Sequence, residues 1–266
     1  MLAKRSAVSH ATAEVAGVRV IPRLDIKGPN LVKGIHLEGL RIVGKPEDFA
    51  RRYSAEGADE LIYVDIVASL YQRNSLLDIV ERTAAEVFVP LTVAGGIRTT
   101  DDIANLLRAG ADKVAINTAA MGRPEFITEA ARMFGSQCVV LSIEAKRQRP
   151  GAWEALTDNG RERSGRDAIA WAREGVARGA GEVLVTSVDQ EGTGRGYDLE
   201  LTREIATQVG VPVIACGGAG APDDVVKVVR DGKADAVALA RILHYQQSDI
   251  PAVKRALATA GVEVRL

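Results

Sequence analysis

The sequence predicts an α/β fold, a closed (β/α)8 TIM barrel made of two similar half-barrels. Three observations carry this expectation. Apolar, β-branched runs alternate with helical patterns along the whole chain. The runs are too apolar to leave either face in water, as strands of a buried parallel sheet must be. The second half also echoes the first at an offset of roughly 120 residues, the mark of an internal repeat. ADELIYVDIVAS from Ala58 returns as AGEVLVTSVDQE from Ala180, PLTVAGGIRTTDD from Pro90 as PVIACGGAGAPDD from Pro212, and GADKVAIN from Gly110 as KADAVALA from Lys233. A doubly wound open sheet rarely needs so many regular units, whereas two half-barrels close naturally. They set the first strand opposite the fifth and the third opposite the seventh.

Taken in order, residues 1–17 are small and polar and lack the apolar core of a secretory leader, so they read as an extension ahead of a single barrel domain at 18–266. The first strand, Arg19–Ile26, delivers Asp25 at its end, and the polar segment Gly28–Gly44 reads as a loop. A helix opens with proline at Pro46–Glu56, followed by a strand at Glu60–Ile66. Ser75–Glu86 is helical by the spacing of Leu76, Leu77, Val80 and Ala84. The third strand, Pro90–Ala94, runs through Gly95-Gly96 into a helix at Thr100–Ala109, whose threonine and two aspartates suit an N-terminus. Lys113–Asn117 and the helix Pro124–Phe134 close the first half. The second half runs Cys138–Glu144, helix Arg166–Arg178, Glu182–Asp189, helix Leu199–Val209, Val211–Cys216, helix Pro222–Asp231, Ala236–Ala240 and helix Ile250–Ala260.

Composition narrows the function. With 266 residues, 47% hydrophobic content and a net charge of −1, the chain suits one large domain and carries no broad basic surface for nucleic acid or membrane. No apolar run reaches bilayer length. The two cysteines, Cys138 and Cys216, read as buried free thiols of a reducing cytoplasm. His10, His36 and His244 are too scattered to hold a metal, and no cofactor motif appears.

The candidate chemistry lies at strand ends. Asp25 and Glu144 each close a buried strand, and strands opposite one another would bring the two carboxylates to one mouth, where they can divide acid and base duties. Gly95-Gly96 and Gly217-Gly218 each precede a helix start, where glycine lets backbone N–H groups approach an anion. They pair with Asn117-Thr118 and Ala240-Arg241 at the next strand ends. Two such sites on opposite rims imply a long substrate with a phosphate at each end. Lys33, in the loop after the first strand, suits closure over a phosphate or orientation of a reacting group. Asp65 and Asp189 end the second and sixth strands and stand equally well for substrate contacts or structural ties. Arg19, Glu60, Lys113 and Glu182 stand at strand starts, the face that usually serves stability, yet two charges of each sign suffice for a salt-bridged ring across the axis.

RVIPRLDIK, LVKG, DELIYVDI, GADKVAINTAA, FGSQCVV, GAGEVLVTS, GTGRGYD and VIACGGAG together resemble the cyclase subunit of imidazole glycerol phosphate synthase from about Arg19 to Leu266. The resemblance implies a heterodimer with a glutaminase subunit. Ammonia from that partner passes up the barrel axis and attacks a phosphoribulosyl-formimino aminoimidazole carboxamide ribotide. The products are imidazole glycerol phosphate and an aminoimidazole carboxamide ribotide. It assigns catalysis to Asp25, Glu144 and the loop residue Lys33. Phosphate binding falls to Gly96, Asn117 and Thr118 in one half and to Gly192, Gly218, Ala240 and Arg241 in the other. It makes Arg19, Glu60, Lys113 and Glu182 an ammonia gate and places Asp112 against the glutaminase.

The chain departs from the family pattern at Glu144 and Glu191, both aspartate in the family, and at Arg241, usually serine. Arg23 occupies a usually small position, points inward with Asp25, and needs a partner, for which Glu144 is the candidate. These departures keep a second reading open, a paralogue that retains the glutaminase interface and channel but supplies ammonia to another amidation, such as that of a surface-polysaccharide sugar.

Overall fold

The computed structural model describes residues 17–68 and 76–266, so the N-terminal extension, apart from Gly17, lies outside the described residues, as does Ser75 of the expected second helix. The chain opens with β1 (Arg19–Lys27), β2 (Asn30–Ile35), β3 (Glu38–Gly44) and α1 (Pro46–Ala55). It continues through β4 (Leu61–Asp65), α2 (Leu77–Ala84), β5 (Leu91–Ala94), α3 (Thr100–Arg108), β6 (Lys113–Ile116), α4 (Thr118–Gly122) and α5 (Glu125–Phe134). The second half is β7 (Val139–Arg149), β8 (Ala152–Thr157), β9 (Glu162–Asp167), α6 (Ala168–Ala177), β10 (Glu182–Ser187), α7 (Leu199–Ala206), β11 (Val213–Cys216), α8 (Pro222–Arg230), β12 (Ala236–Leu239), α9 (Arg241–His244) and α10 (Ile250–Thr259).

Parallel strands follow one another round a closed ring in the order β1, β4, β5, β6, β7, β10, β11, β12 and back to β1. The ring closes through β7 and β10, in register from Glu182 beside Val140 to Ser187 beside Ala145. β1 therefore stands opposite β7 and β5 opposite β11, as the repeat predicts.

Side-chain alternation divides each strand between two cores. Ile21, Ile62, Val140, Leu184 and Ile214 fill the barrel interior, while Val20, Leu24, Tyr63 and Val183 face the helices. Helix ends follow local chemistry. Thr99 Oγ1 accepts from Asp102 N at 3.2 Å and Asp102 Oδ2 accepts from Thr99 N at 3.0 Å, a reciprocal cap at the start of α3. In the other half Ala221 replaces the threonine, and Asp224 alone accepts from Gly220 N and Ala221 N.

The structure corrects the reading in two places. Gly28–Gly44 is not an open loop: β2 and β3 form an antiparallel hairpin attached to the end of β1. β7 continues past Glu144 to Arg149 and turns into a second antiparallel ribbon with β8 and β9. Both ribbons rise at the strand-end mouth, where barrel proteins build their sites.

Candidate active site

β1 brings Arg23 and Asp25 to the inward side two residues apart. Arg23 Nε donates to Asp25 Oδ1 at 2.8 Å, and Lys33 Nζ, from the β2–β3 hairpin, donates to Asp25 Oδ2 at 3.0 Å. Lys33 also pairs with Glu191, which follows β10. All four groups are buried: Arg23 is 1% exposed, the others 3%. Burial alone would push the Asp25 carboxyl up, but the Arg23 guanidinium and the Lys33 ammonium outweigh it and hold it well below the ordinary carboxylate range. Burial likewise disfavours a charged Lys33, yet Asp25 and Glu191 hold it above its ordinary value.

The partner of Arg23 is thus Asp25, not Glu144. Its Nη1 reaches across the interior to Thr186 Oγ1 at 3.0 Å and Cys216 Sγ at 3.4 Å, on β10 and β11. The guanidinium crosses the barrel between the mouth and the apolar layer below.

Glu144, on β7 opposite, has neutral company. Asn117 Nδ2 and Ser142 Oγ donate to its carboxyl, the latter at 3.3 Å. Burial is the largest influence on it and raises it above the ordinary glutamate value despite Arg23. One acid is therefore held ionised, while burial raises the other above its ordinary value. Neither aligns with the nearby lysine in sequence, since Lys27 and Lys146 are exposed.

Beside Glu144 lies a cavity of about 360 Å³ lined by Gly96, Asn117 and Thr118, all three residues of the first expected phosphate cradle, and by Arg23, Asp65 and Arg98. Gly95 is obligatory in its wall: φ is +95°, and a Cβ would come within 2.2 Å of Asp65 O. The second cradle differs. Gly192, Gly218, Ala240 and Arg241 do line one recess, but it offers only about 10 Å³, scarcely room for a single water at ~10–15 Å³. The Arg241 side chain lies over Gly194, with Nη1 donating to Thr193 O at 3.4 Å.

The β2–β3 hairpin is folded across the mouth. His36 N donates to Glu191 O at 2.8 Å, and Leu37 packs with Leu156 of β8 and Val188. Asp189 Oδ2 accepts from Arg147 N at 2.8 Å, a tie between β7 and the segment that follows β10, while Asp65 accepts from Val67 N at 3.1 Å.

At the opposite end, the four strand-start charges form one ring. Arg19 Nη1 donates to Glu60 Oε2 at 2.7 Å and to Glu182 Oε1 at 3.2 Å. Lys113 Nζ donates to Glu60 Oε2 at 3.1 Å and to Glu182 Oε1 at 2.9 Å. Thr92 Oγ1 donates to Glu60 Oε1 at 2.7 Å. Signs alternate round the axis, so the ring is neutral. Asp112 is exposed on this face, but its Oδ2 also accepts from Leu91 N at 2.8 Å, as Asp235 Oδ2 accepts from Val213 N in the other half. Asp112 thus has a structural task that the repeat duplicates.

Sequence reasoning missed Ser142, which faces inward two residues before Glu144, and Asn159, which lines the cavity from the β8–β9 turn. Strand parity flags the first. Asp158-Asn159-Gly160, with positive φ at all three residues, is a hairpin signal for the second. Glu191 stood out as a substitution, but the hairpin that brings Lys33 to it was not foreseen.

A family model described as histidine biosynthesis protein matches residues 19–249. The chain is 63% identical over 206 residues to a Legionella pneumophila protein named imidazole glycerol phosphate synthase subunit HisF, covering 77% of this chain and 97% of the relative. It is 51% identical over 247 residues to the HisF subunit of Myxococcus xanthus, covering 93% and 97%. It is 48% identical over 254 residues to that of Corynebacterium diphtheriae, covering 93% and 98%.

Proposed function

Because the chain belongs to the histidine biosynthesis protein family, we propose that it acts as the cyclase subunit of imidazole glycerol phosphate synthase, receiving ammonia at the bottom of the barrel and using it at the mouth. One observation carries the reading: two carboxylates on opposite strands face a single interior, directly above a closed ring of alternating charge. The glutaminase partner docks on the ring face. Ammonia enters through the ring formed by Arg19, Glu60, Lys113 and Glu182 and rises along the axis.

At the mouth Glu144, whose carboxyl burial raises above the ordinary glutamate value, is the general acid, and Asp25 is the general base. Asp25 has both oxygens engaged, by Arg23 and Lys33, while the hairpin is closed. It takes up a proton once Lys33 withdraws with that hairpin, so hairpin movement and proton transfer are linked. Gly96, Asn117 and Thr118 hold one phosphate of the substrate. The second phosphate goes to Gly192, Gly218, Ala240 and Arg241, where the arginine must swing out of the recess and then serves as its counter-charge.

The filled second recess and the Arg23 crossing favour one other reading, a paralogous subunit that passes ammonia to a smaller substrate with a single phosphate. Turnover of the phosphoribulosyl-formimino ribotide by the purified chain, with excess ammonium and no partner, separates the two. Robust formation of imidazole glycerol phosphate supports the cyclase. Its absence, with inorganic phosphate still binding, supports the paralogue. No helix among the described residues is long and apolar enough to cross a membrane.

A further inference from the structure

Arg23 is charged, 1% exposed and incompletely satisfied. Its Nε serves Asp25 and its Nη1 serves Thr186 and Cys216, but Nη2 is buried with no hydrogen-bond partner. Two further buried atoms share that condition and the same cavity: Asn117 Oδ1, an acceptor, and Asn159 Nδ2, a donor. A buried polar group without a partner is costly, more so when charged. Three of them around one cavity describe a surface complementary to a ligand with an acceptor–donor edge.

The charge balance narrows the ligand further. Arg23, Asp25, Lys33 and Glu191 form a buried quartet of net charge zero. A second anion against Arg23 would unbalance it in a region shielded from water, whereas a neutral acceptor would not. Gly96 and Thr118, to which the phosphate is assigned above, line the same cavity. At about 360 Å³ the cavity sits near the small end of the ~300–1,000 Å³ range of ligand sites, suited to one phosphosugar-sized moiety.

We propose that Arg23 is a ligand-binding and specificity-determining residue, donating from Nη2 to the neutral carbonyl oxygen of a carboxamide-type group on a phosphorylated small molecule held in this cavity. Asn159 Nδ2 shares the carbonyl, and Asn117 Oδ1 receives the amide N–H. The proposal deepens the cyclase reading and rests on it for the choice of probe.

The test is calorimetric binding of aminoimidazole carboxamide ribotide and of aminoimidazole ribotide, which lacks the carboxamide, with inorganic phosphate as reference. The wild-type chain is expected to prefer the carboxamide ligand roughly tenfold or more, the scale of one charge-assisted hydrogen bond. Arg23→Lys retains a cation beside Asp25 but loses the fork, and is expected to shrink the preference to within about threefold while leaving phosphate affinity unchanged. Equal affinities in the wild type, or a full preference retained by the lysine variant, overturn the proposal. If the variant does not fold, ¹⁵N NMR of the wild-type guanidinium decides. The carboxamide ligand must shift an Arg23 Nη signal that phosphate alone does not, and an unmoved signal overturns the assignment. Turnover of the full substrate reports on the cyclase reading separately: turnover without carboxamide preference refutes only the role of Arg23.

Discussion

Asp25 and Glu144 look alike in sequence, each an acid at the end of a buried strand, but their neighbours drive them apart. Asp25 lies between two cations and stays ionised; Glu144 receives only neutral donors and is pushed up by burial. Strand parity made both legible as inward-facing. It did not reveal the partner of Arg23, because a same-side residue two positions along its own strand is nearer than a carboxylate across the barrel. The difference has a consequence for stability. A carboxyl with a raised native value binds its proton more tightly folded than unfolded, so its contribution is complete below the ordinary glutamate range of about 4.3 and is lost as pH rises through the native value. Asp25 has the opposite sign: its contribution is present above the ordinary aspartate range and is lost only as pH falls through its low native value. Glu144→Gln keeps an acceptor for Asn117 and removes the titration. Paired melting curves from pH 4 to 8 are therefore expected to show the wild type losing ground to the variant as pH rises. Parallel profiles would count against a raised Glu144.

Periodicity located the barrel strands to within a few residues but passed over both mouth ribbons, for a physical reason. Barrel strands are buried on two sides and announce themselves as apolar runs, whereas β9, ERSGRD, is largely exposed and carries no apolar alternation at all. β3 is exposed along much of its length for the same reason. Hairpins at the rim are held by a few long-range contacts, here Lys33 with Asp25 and Glu191, and Leu37 with Leu156 and Val188. Lys33→Met would leave Asp25 with Arg23 alone and Glu191 without its cation, and breaking a buried pair of this kind costs about 3–5 kcal/mol. The loss should fall on the hairpin, since the barrel strands draw their stability from the two apolar cores. Amide exchange is expected to accelerate across residues 30–44 and to stay slow in β4, β5 and β11. Uniform acceleration would mean that the quartet supports the barrel as a whole, not the closure of its mouth.

Across the molecule, the twofold repeat accounts for what was readable and what was not. It fixed which strands oppose each other, and so predicted that charges at four separated strand starts converge on one axis; the ring contacts bear this out. It also suggested two symmetric phosphate cradles, and these differ in space: Arg241 lines a recess of about 10 Å³ in one half, whereas Thr118, at the matching position of the other, lines the cavity of about 360 Å³. The ring itself supports a final prediction. Three of its members are partly reached by solvent, Arg19 at 25% of its side chain, Lys113 at 17% and Glu182 at 13%, and the buried fourth, Glu60, keeps Arg19 and Thr92 as partners when Lys113 is lost, so that loss should not unfold the barrel. Lys113→Met turns a neutral ring into one of charge −1 and frees Glu182 from one of its two cations. If the proposed glutaminase partner feeds ammonia to the mouth through this ring, the variant assembled with that partner should consume glutamine with a much reduced yield of cyclised product, while turnover with saturating free ammonium, which reaches the mouth directly, stays near the wild-type rate. Measuring both nitrogen sources on one preparation separates transport from chemistry. Equal loss with each would place Lys113 in the stability of the barrel floor and remove the ring from the path of ammonia.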